Sequence, residues 1–363
     1  MTRDQSISWV GNVIHQIPEF LEKMRDKDVP GRYKYSLTGD IMTNKKWGLG
    51  NTVFAVKCYH MLNLLDKCDI ENMVAFIKSF QHNNTQIFDP VVQKLSQFFR
   101  LYTSLWRCDW RNISGEMTRR AETRQSFAAL RALGSFPDKP CVEIPYSEKG
   151  IHKYIHSLNW STPYEAGSHF SQLVFLIYNN YKMLNYHAHD QEKLINYSFN
   201  ELNNFKQTCG AWYDNGIIIT DDEKINGAMK IMTAYNIVER NDFENPEGLI
   251  DLCLSVIKNR DACDNFNLIH VLYNCHNKTD YKKEEIEKFC LERLTIYNKH
   301  YWPNHGGFSF LNGRANKVYY GAKISKGLSE PDIHATHLFL WGITLITKIL
   351  EFEKYIKLKI PIT

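Results

Sequence analysis

Six times along the chain a short cluster of polar and small residues runs directly into an apolar stretch. The first two are Trp47-Gly48-Leu49-Gly50-Asn51-Thr52-Val53-Phe54 and Ala121-Glu122-Thr123-Arg124-Gln125-Ser126-Phe127. The third and fourth are Pro163-Tyr164-Glu165-Ala166-Gly167-Ser168-His169-Phe170 and Asp222-Glu223-Lys224-Ile225-Asn226-Gly227-Ala228-Met229-Lys230. The last two are Asp261-Ala262-Cys263-Asp264-Asn265-Phe266 and Pro331-Asp332-Ile333-His334-Ala335-Thr336-His337-Leu338. A degenerate unit repeated at such intervals builds an array of stacked or closed helical pairs, because one pair cannot bury its own apolar face.

Hydrophobic periodicity agrees. Apolar residues recur with a 3.6-residue period over Val10–Arg25, Thr52–Leu65, Ile70–Phe80, Val91–Trp106, Glu122–Leu133, Ile151–Leu158 and His169–Met183. The same holds for Leu194–Cys209, Ile225–Val238, Gly248–Lys258, Asn265–Cys275, Lys283–Tyr297 and Ile333–Phe352. Strand alternation is poor, so the chain is read as all-α. The segments after the six starts are apolar on every side, which marks buried helices; the intervening ones, such as Lys283–Tyr297, are amphipathic. Six inner and six outer helices describe an (α/α)6 toroid. No Ser/Gly linker or charge block divides residues 1–363, so a single domain is expected. In a toroid the inner-helix N-termini share one end, where free N–H groups and helix dipoles make a polar, anion-tolerant mouth.

Composition narrows the function. Of 363 residues, 44 are Lys or Arg and 40 are Asp or Glu, a near balance that argues against a dedicated nucleic-acid binder. Eight Trp, twenty Tyr and twenty Phe suit a ring-lined pocket. Nine cysteines without C-x-x-C spacing fit a reducing compartment. The first residues lack an apolar signal core, and Leu338–Leu350 is too short to span a bilayer, so a cytoplasmic protein without a transmembrane segment is expected. Without a secretory signal, the N-x-S/T sequons at Asn83, Asn112, Asn159, Asn196 and Asn277 carry no meaning.

Gly306-Gly307-Phe308-Ser309-Phe310, followed by Asp332-Ile333-His334-Ala335-Thr336 and Leu340-Trp341-Gly342-Ile343, resembles a terminal repeat of the squalene-cyclase and protein-prenyltransferase-β superfamily. Gly210-Ala211-Trp212-Tyr213 is a weaker copy. The resemblance implies the toroid; function transfers poorly, because toroids of this kind serve many chemistries. Class II terpenoid cyclases protonate an alkene with D-x-D-D-T, of which only Asp332 and Thr336 remain. Prenyltransferases hold zinc with an Asp-x-Cys and a later His; Asp261, Cys263 and His334 or His337 follow that order, without the usual Gly-Gly-Phe turn before them. Zinc is thus a cofactor only under this alternative, and the leading reading needs none.

Several constellations can carry chemistry. Asp332, His334 and His337 pair a carboxylate with two imidazoles that share a helix face, an acid–base set near neutral pH or half a metal site. Glu165 and His169, four apart, form a second such pair. Tyr320 is a candidate proton donor in a long loop before the last inner helix, where Lys323 offers an anion contact. Glu122 and Arg124 open the second inner helix, and Arg suits a carboxylate or phosphate. Asn226 and Lys230 are again four apart, and a lysine in an apolar helix needs a counter-charge. Trp47, Asn51 and Trp212 complete the expected substrate-binding set.

The leading expectation is an enzyme performing acid–base chemistry of the lyase, epimerase or hydrolase type on an anionic carbohydrate or glycoconjugate. The first alternative is an isoprenoid cyclase or prenyltransferase; the second is a non-catalytic glycan-binding module, which a sizeable exposed apolar patch favours. The expected partner is a small molecule or glycan; the oligomeric state is left open.

Overall fold

The computed structural model describes residues 1–42, 46–82, 85–111, 113–257 and 259–362, so the sequons at Asn83 and Asn112 and the end of the expected helix at Lys258 lie outside it. The described chain is mostly helical, with fourteen α-helices and four two-residue strands. No helix among the described residues is long and apolar enough to cross a membrane. Its contacts group it into two compact units: residues 1–138, 259–266 and 291–362, and residues 139–258 and 267–290.

The first unit carries α1 (Arg3–Met24), α2 (Leu49–Met61), α3 (Ile70–Lys78), α4 (Pro90–Leu95), α5 (Gln97–Arg107), α6 (Glu116–Ala132) and α14 (Ile333–Ile349). Helix α1 begins earlier than its periodicity predicts. Thr2 and Gln5 form a capping box there, in which each side chain meets the other's backbone N–H. The segment expected as one helix over Val91–Trp106 is two, α4 and α5, meeting at Ser96. Every residue of α2 except His60 is buried, and every residue of α14 except His334 and Lys348. Helix α2 packs against α6, α14 and α3, and α14 also packs against α1. Nearly wholly buried helices such as α2 and α14, beside amphipathic ones such as α3 and α5, are what the sequence pattern dictates.

Two antiparallel pairs, β1 (Tyr301–Trp302) with β2 (Gly307–Phe308) and β3 (Val318–Tyr319) with β4 (Ala322–Lys323), decorate this unit. The second pair replaces the long loop expected before α14. Its two-residue turn is Tyr320-Gly321, both with positive φ, at 47° and 80°. That is the backbone of a type I′ hairpin, which Asn-Gly normally supplies. A tyrosine there is strained, and such strain gathers at functional sites.

The second unit carries α7 (Glu148–Ser157), α8 (Pro163–Leu184), α9 (Gln191–Leu202), α10 (Asp221–Ile237) and α11 (Pro246–Ser255). Helices α12 (Ala262–His276) and α13 (Lys283–Asn298) complete the chain's helical content. Helix α8 packs along α10, and α9 lies against both α8 and α7. Two glycines let α8 and α10 meet. A Cβ on Gly227 would lie 2.5 Å from Pro163 Cβ, and one on Gly167 would lie 2.9 Å from the Gly227 carbonyl oxygen. Gly227→Ala is therefore expected to destabilise by about 1–3 kcal/mol through overpacking. Gly11, with open space around it in α1, is the control: Gly11→Ala is expected to be neutral or to stabilise by up to about 1 kcal/mol. Urea denaturation of the two variants checks both.

Candidate functional site

In the first unit, the start of α2 is set by Asp89. Gly48, with φ 97°, precedes the helix and donates its N–H to Asp89 Oδ2 at 2.8 Å. Asp89 also caps α4, its Oδ1 accepting from Val91 and Val92, and its own N–H donates to Glu122 Oε2 at 3.2 Å. Two buried carboxyls thus sit side by side. Asp89 is well supplied with backbone donors, whereas Glu122 receives only that N–H and a long contact of 3.5 Å from Gln93 Nε2. Burial, and then the Asp89 charge, hold the Glu122 carboxyl well above the usual carboxylate range. With Oε2 accepting, Oε1 is the natural place for the proton, and this atom has no partner among the described residues. Ser126 Oγ, one turn along the same face, is also buried without a partner.

Above Glu122 stands the β3–β4 turn. The Tyr319 and Tyr320 rings lie 4.5 Å apart. Burial and the Glu122 carboxylate push the Tyr320 phenol up to about 12, with Arg124 pulling the other way. Burial, then Tyr320 and Glu122, push Tyr319 up as well. The Tyr319 hydroxyl sits where a Cβ on Gly50 would come within 2.8 Å, so glycine at the start of α2 makes room for it.

Rings connect this acid to the histidines. Phe54 meets Tyr319 edge-on at 6.0 Å and stacks on His334 at 4.6 Å and His337 at 5.1 Å. His334, half-buried, also lies 5.3 Å from Phe310. His337 is buried, and neither ring nitrogen has a hydrogen-bond partner among the described residues. Burial, then the Lys57 charge and His334, drive its imidazole well below its ordinary value, so it is neutral. Lys57 lies on the inward side of α2, donates to Gln125 Oε1 and sits 5.9 Å over the Trp341 ring. In acid, the unfolded chain takes up a proton at His337 below about pH 6.5, and the folded chain resists it. The stability this group contributes is present above that value and lost as pH falls. His337→Leu is expected to flatten the loss of stability between pH 6.5 and 4, read by denaturant titration at each pH.

The expected residues divide. Asn51, Glu122, Arg124, Tyr320, His334 and His337 belong to the neighbourhood just described, and Asn51 Nδ2 donates to the Tyr33 carbonyl at 3.2 Å. Trp47 is buried beside the start of α2. Asp332 departs from its expected acid–base role. It is the N-cap of α14: Oδ1 accepts from the Ala335 N–H at 2.8 Å, and Oδ2 from Phe310 at 3.0 Å and Asn316 at 3.2 Å. Burial outweighs these donors and pushes its carboxyl up to about 7. Both oxygens are occupied in holding backbone, which is the work of a cap. Lys323 is an exposed residue at the end of the β3–β4 hairpin.

Glu165, His169, Asn226, Lys230 and Trp212 lie in the second unit. The Tyr154 hydroxyl meets His169 Nδ1 at 3.1 Å. Lys230 Nζ lies 4.8 Å over the Tyr164 ring, and Asn226 Oδ1 accepts from Asn267 Nδ2 at 2.7 Å. Trp212 is 1% exposed and packs near Tyr235, so it is core.

Asp261 caps α12, its Oδ1 accepting from the Asp264 N–H at 2.9 Å. Asp261, Cys263 and His334 do not converge as metal donors; among the described residues the set that does is His152, His156 and Glu201. The sequence reading missed this set, and also Lys57, Asp89, Phe54 and Tyr319. Lys57 within Val53–Cys58, like Lys230, is a lysine inside an apolar helix, and that signal identifies it in the sequence.

No known protein family, curated protein or solved structure matches this chain.

Proposed function

We propose that the protein is an enzyme whose working site is the buried cluster around Glu122, and that it performs general acid–base chemistry of the lyase, epimerase or hydrolase type on an anionic carbohydrate or glycoconjugate. The observation that carries this reading is the buried Glu122 carboxyl, held well above the usual carboxylate range, with an unpartnered Oε1 beside the strained Tyr320 turn. A carboxylic acid kept protonated near neutral pH is a general acid for a leaving oxygen. In this reading Glu122 donates the proton, Tyr320 steadies the developing charge, and the half-buried His334 accepts a proton, with His337 staying neutral behind it. Arg124 and Lys57 hold the anionic group, and Phe54 and Tyr319 offer faces for sugar stacking. A toroid of inner and outer helices remains the architecture we infer, supported by α2, buried except at His60, lying against α6 and α14. Nine free cysteines support a cytoplasmic setting.

One observation favours the isoprenoid alternative: rings of Phe54, Tyr319, Phe310 and Trp341 lie against the histidines. The raised Glu122 carboxyl argues against it, because protonating an alkene needs a stronger acid than usual. The binding-module alternative has the exposed apolar face of α5, where Phe98, Tyr102, Leu105 and Trp106 are each more than half exposed.

The test is a panel of uronate-containing, sulphated and phosphorylated oligosaccharides beside isoprenoid diphosphates, followed by mass spectrometry and proton NMR. Turnover of an acidic saccharide that Glu122→Gln abolishes supports the proposal. Turnover confined to isoprenoids, or saccharide binding unchanged by Glu122→Gln and without turnover, replaces it with the corresponding alternative.

A further inference from the structure

We propose that His152, His156 and Glu201 form a binding site for a borderline divalent transition cation of the zinc class, on the surface of the second unit. His152 and His156 are four apart on α7, so their rings project from one face, 4.3 Å apart. Glu201 comes from the end of α9, which packs against α7. Its Oε2 lies 2.9 Å from His152 Nδ1 and 2.9 Å from His156 Nε2. All three donor atoms fall within 4.8 Å of one another.

The chemistry of the set selects the cation. Two imidazoles and one carboxylate suit zinc, copper, nickel or cobalt, and not calcium or magnesium, which take oxygen ligands. Zinc bonds of about 2.0–2.1 Å in a tetrahedron separate ligand atoms by about 3.3 Å, so the existing contacts need widen by only a few tenths of an ångström. Metal binding requires each ring's proton to sit on the nitrogen facing away, leaving lone pairs toward the ion. Water completes the coordination, since the set supplies three ligands.

A neighbouring amide holds the carboxylate in place. Asn204 Nδ2 reaches the same Oε2 at 3.5 Å. Such outer partners fix a ligating carboxylate in place. His156 is steadied on its other side by the Phe205 ring at 5.4 Å. None of these residues takes part in the site around Glu122, so the two readings stand or fall separately.

The experiment is calorimetric titration of the full, untagged, chelator-treated chain with Zn2+, with Co2+ absorption to report the ligand type. The expected result is one saturable site whose Co2+ spectrum lacks the intense thiolate band. His156→Ala is expected to weaken Zn2+ by more than the ten- to hundredfold typical of losing an outer partner. Glu201→Gln, which keeps the side chain's shape, is expected to weaken it as well. Circular dichroism confirms that these surface variants stay folded. The proposal is overturned by no saturable uptake up to about 1 mM. It is equally overturned by a thiolate-dominated Co2+ spectrum, or by affinity unchanged in a His152→Ala/His156→Ala double variant.

Discussion

Asp332→Ala is expected to destabilise the first unit by about 3–5 kcal/mol, measured by urea denaturation. The loss has two parts. Removing an N-cap carboxylate costs about 1–2 kcal/mol. The other two donors, the N–H groups of Phe310 and Asn316, are then left without the oxygen they share, at about 1–1.5 kcal/mol each, since the Asn316 contact is only part-buried. Asp332 ties three stretches of chain: its own N–H donates to the Phe308 carbonyl, and the Thr336 hydroxyl donates back to the Asp332 carbonyl. Asp332→Asn keeps one accepting oxygen and is expected to lose less. A cost near that of an ordinary surface substitution would return Asp332 to the catalytic role that the sequence suggests.

Glu122→Gln is expected to behave in the opposite way. Turnover should fall by about 10²- to 10⁴-fold, the usual contribution of a general acid. Stability should not fall. Burial and the Asp89 charge raise the Glu122 carboxyl in the fold, while the unfolded chain ionises it above its ordinary value of 4.5. The stability it contributes is therefore fully present below that value and lost as pH rises through its folded one. Glutamine cannot ionise, so the variant should match or exceed the parent at neutral pH. Activity assayed beside a denaturation curve separates the two effects. Joint loss of activity and stability would make Glu122 a structural residue.

What could be read from the sequence depended on whether the governing force was local. Helices with a strong apolar period, such as α2, α10 and α14, were legible because burial imposes the 3.6-residue repeat. Their beginnings were less so. Helix α6 starts at Glu116, ahead of the expected Glu122, because its first turn is polar and carries no period. The break at Ser96 was hidden because α4 and α5 continue one apolar pattern across it. The β3–β4 hairpin was hidden because Tyr320-Gly321 lacks the usual turn residues.

The site divides along the same line. Glu122, Arg124, Tyr320, His334 and His337 stood out as unusual residues at helix starts or in a Gly-rich loop. Asp89 did not: its importance lies in an N–H that reaches Glu122 across 33 positions. Nor did the pairing of His152 and His156 with Glu201, although His-x-x-x-His on an amphipathic helix was there to be seen. Asp332 shows the converse. Its place before an apolar helix suits a cap and an acid equally, and only the three backbone donors aimed at it decide.

The most direct test of the buried acid is carbon-13 NMR of side-chain-labelled glutamate, with the Glu122 carboxyl assigned by its absence in Glu122→Gln. The expected result is a carboxyl still neutral at pH 7 that ionises only at higher pH. A Glu122 carboxyl already ionised at pH 7, titrating near its ordinary value of 4.5, would contradict it.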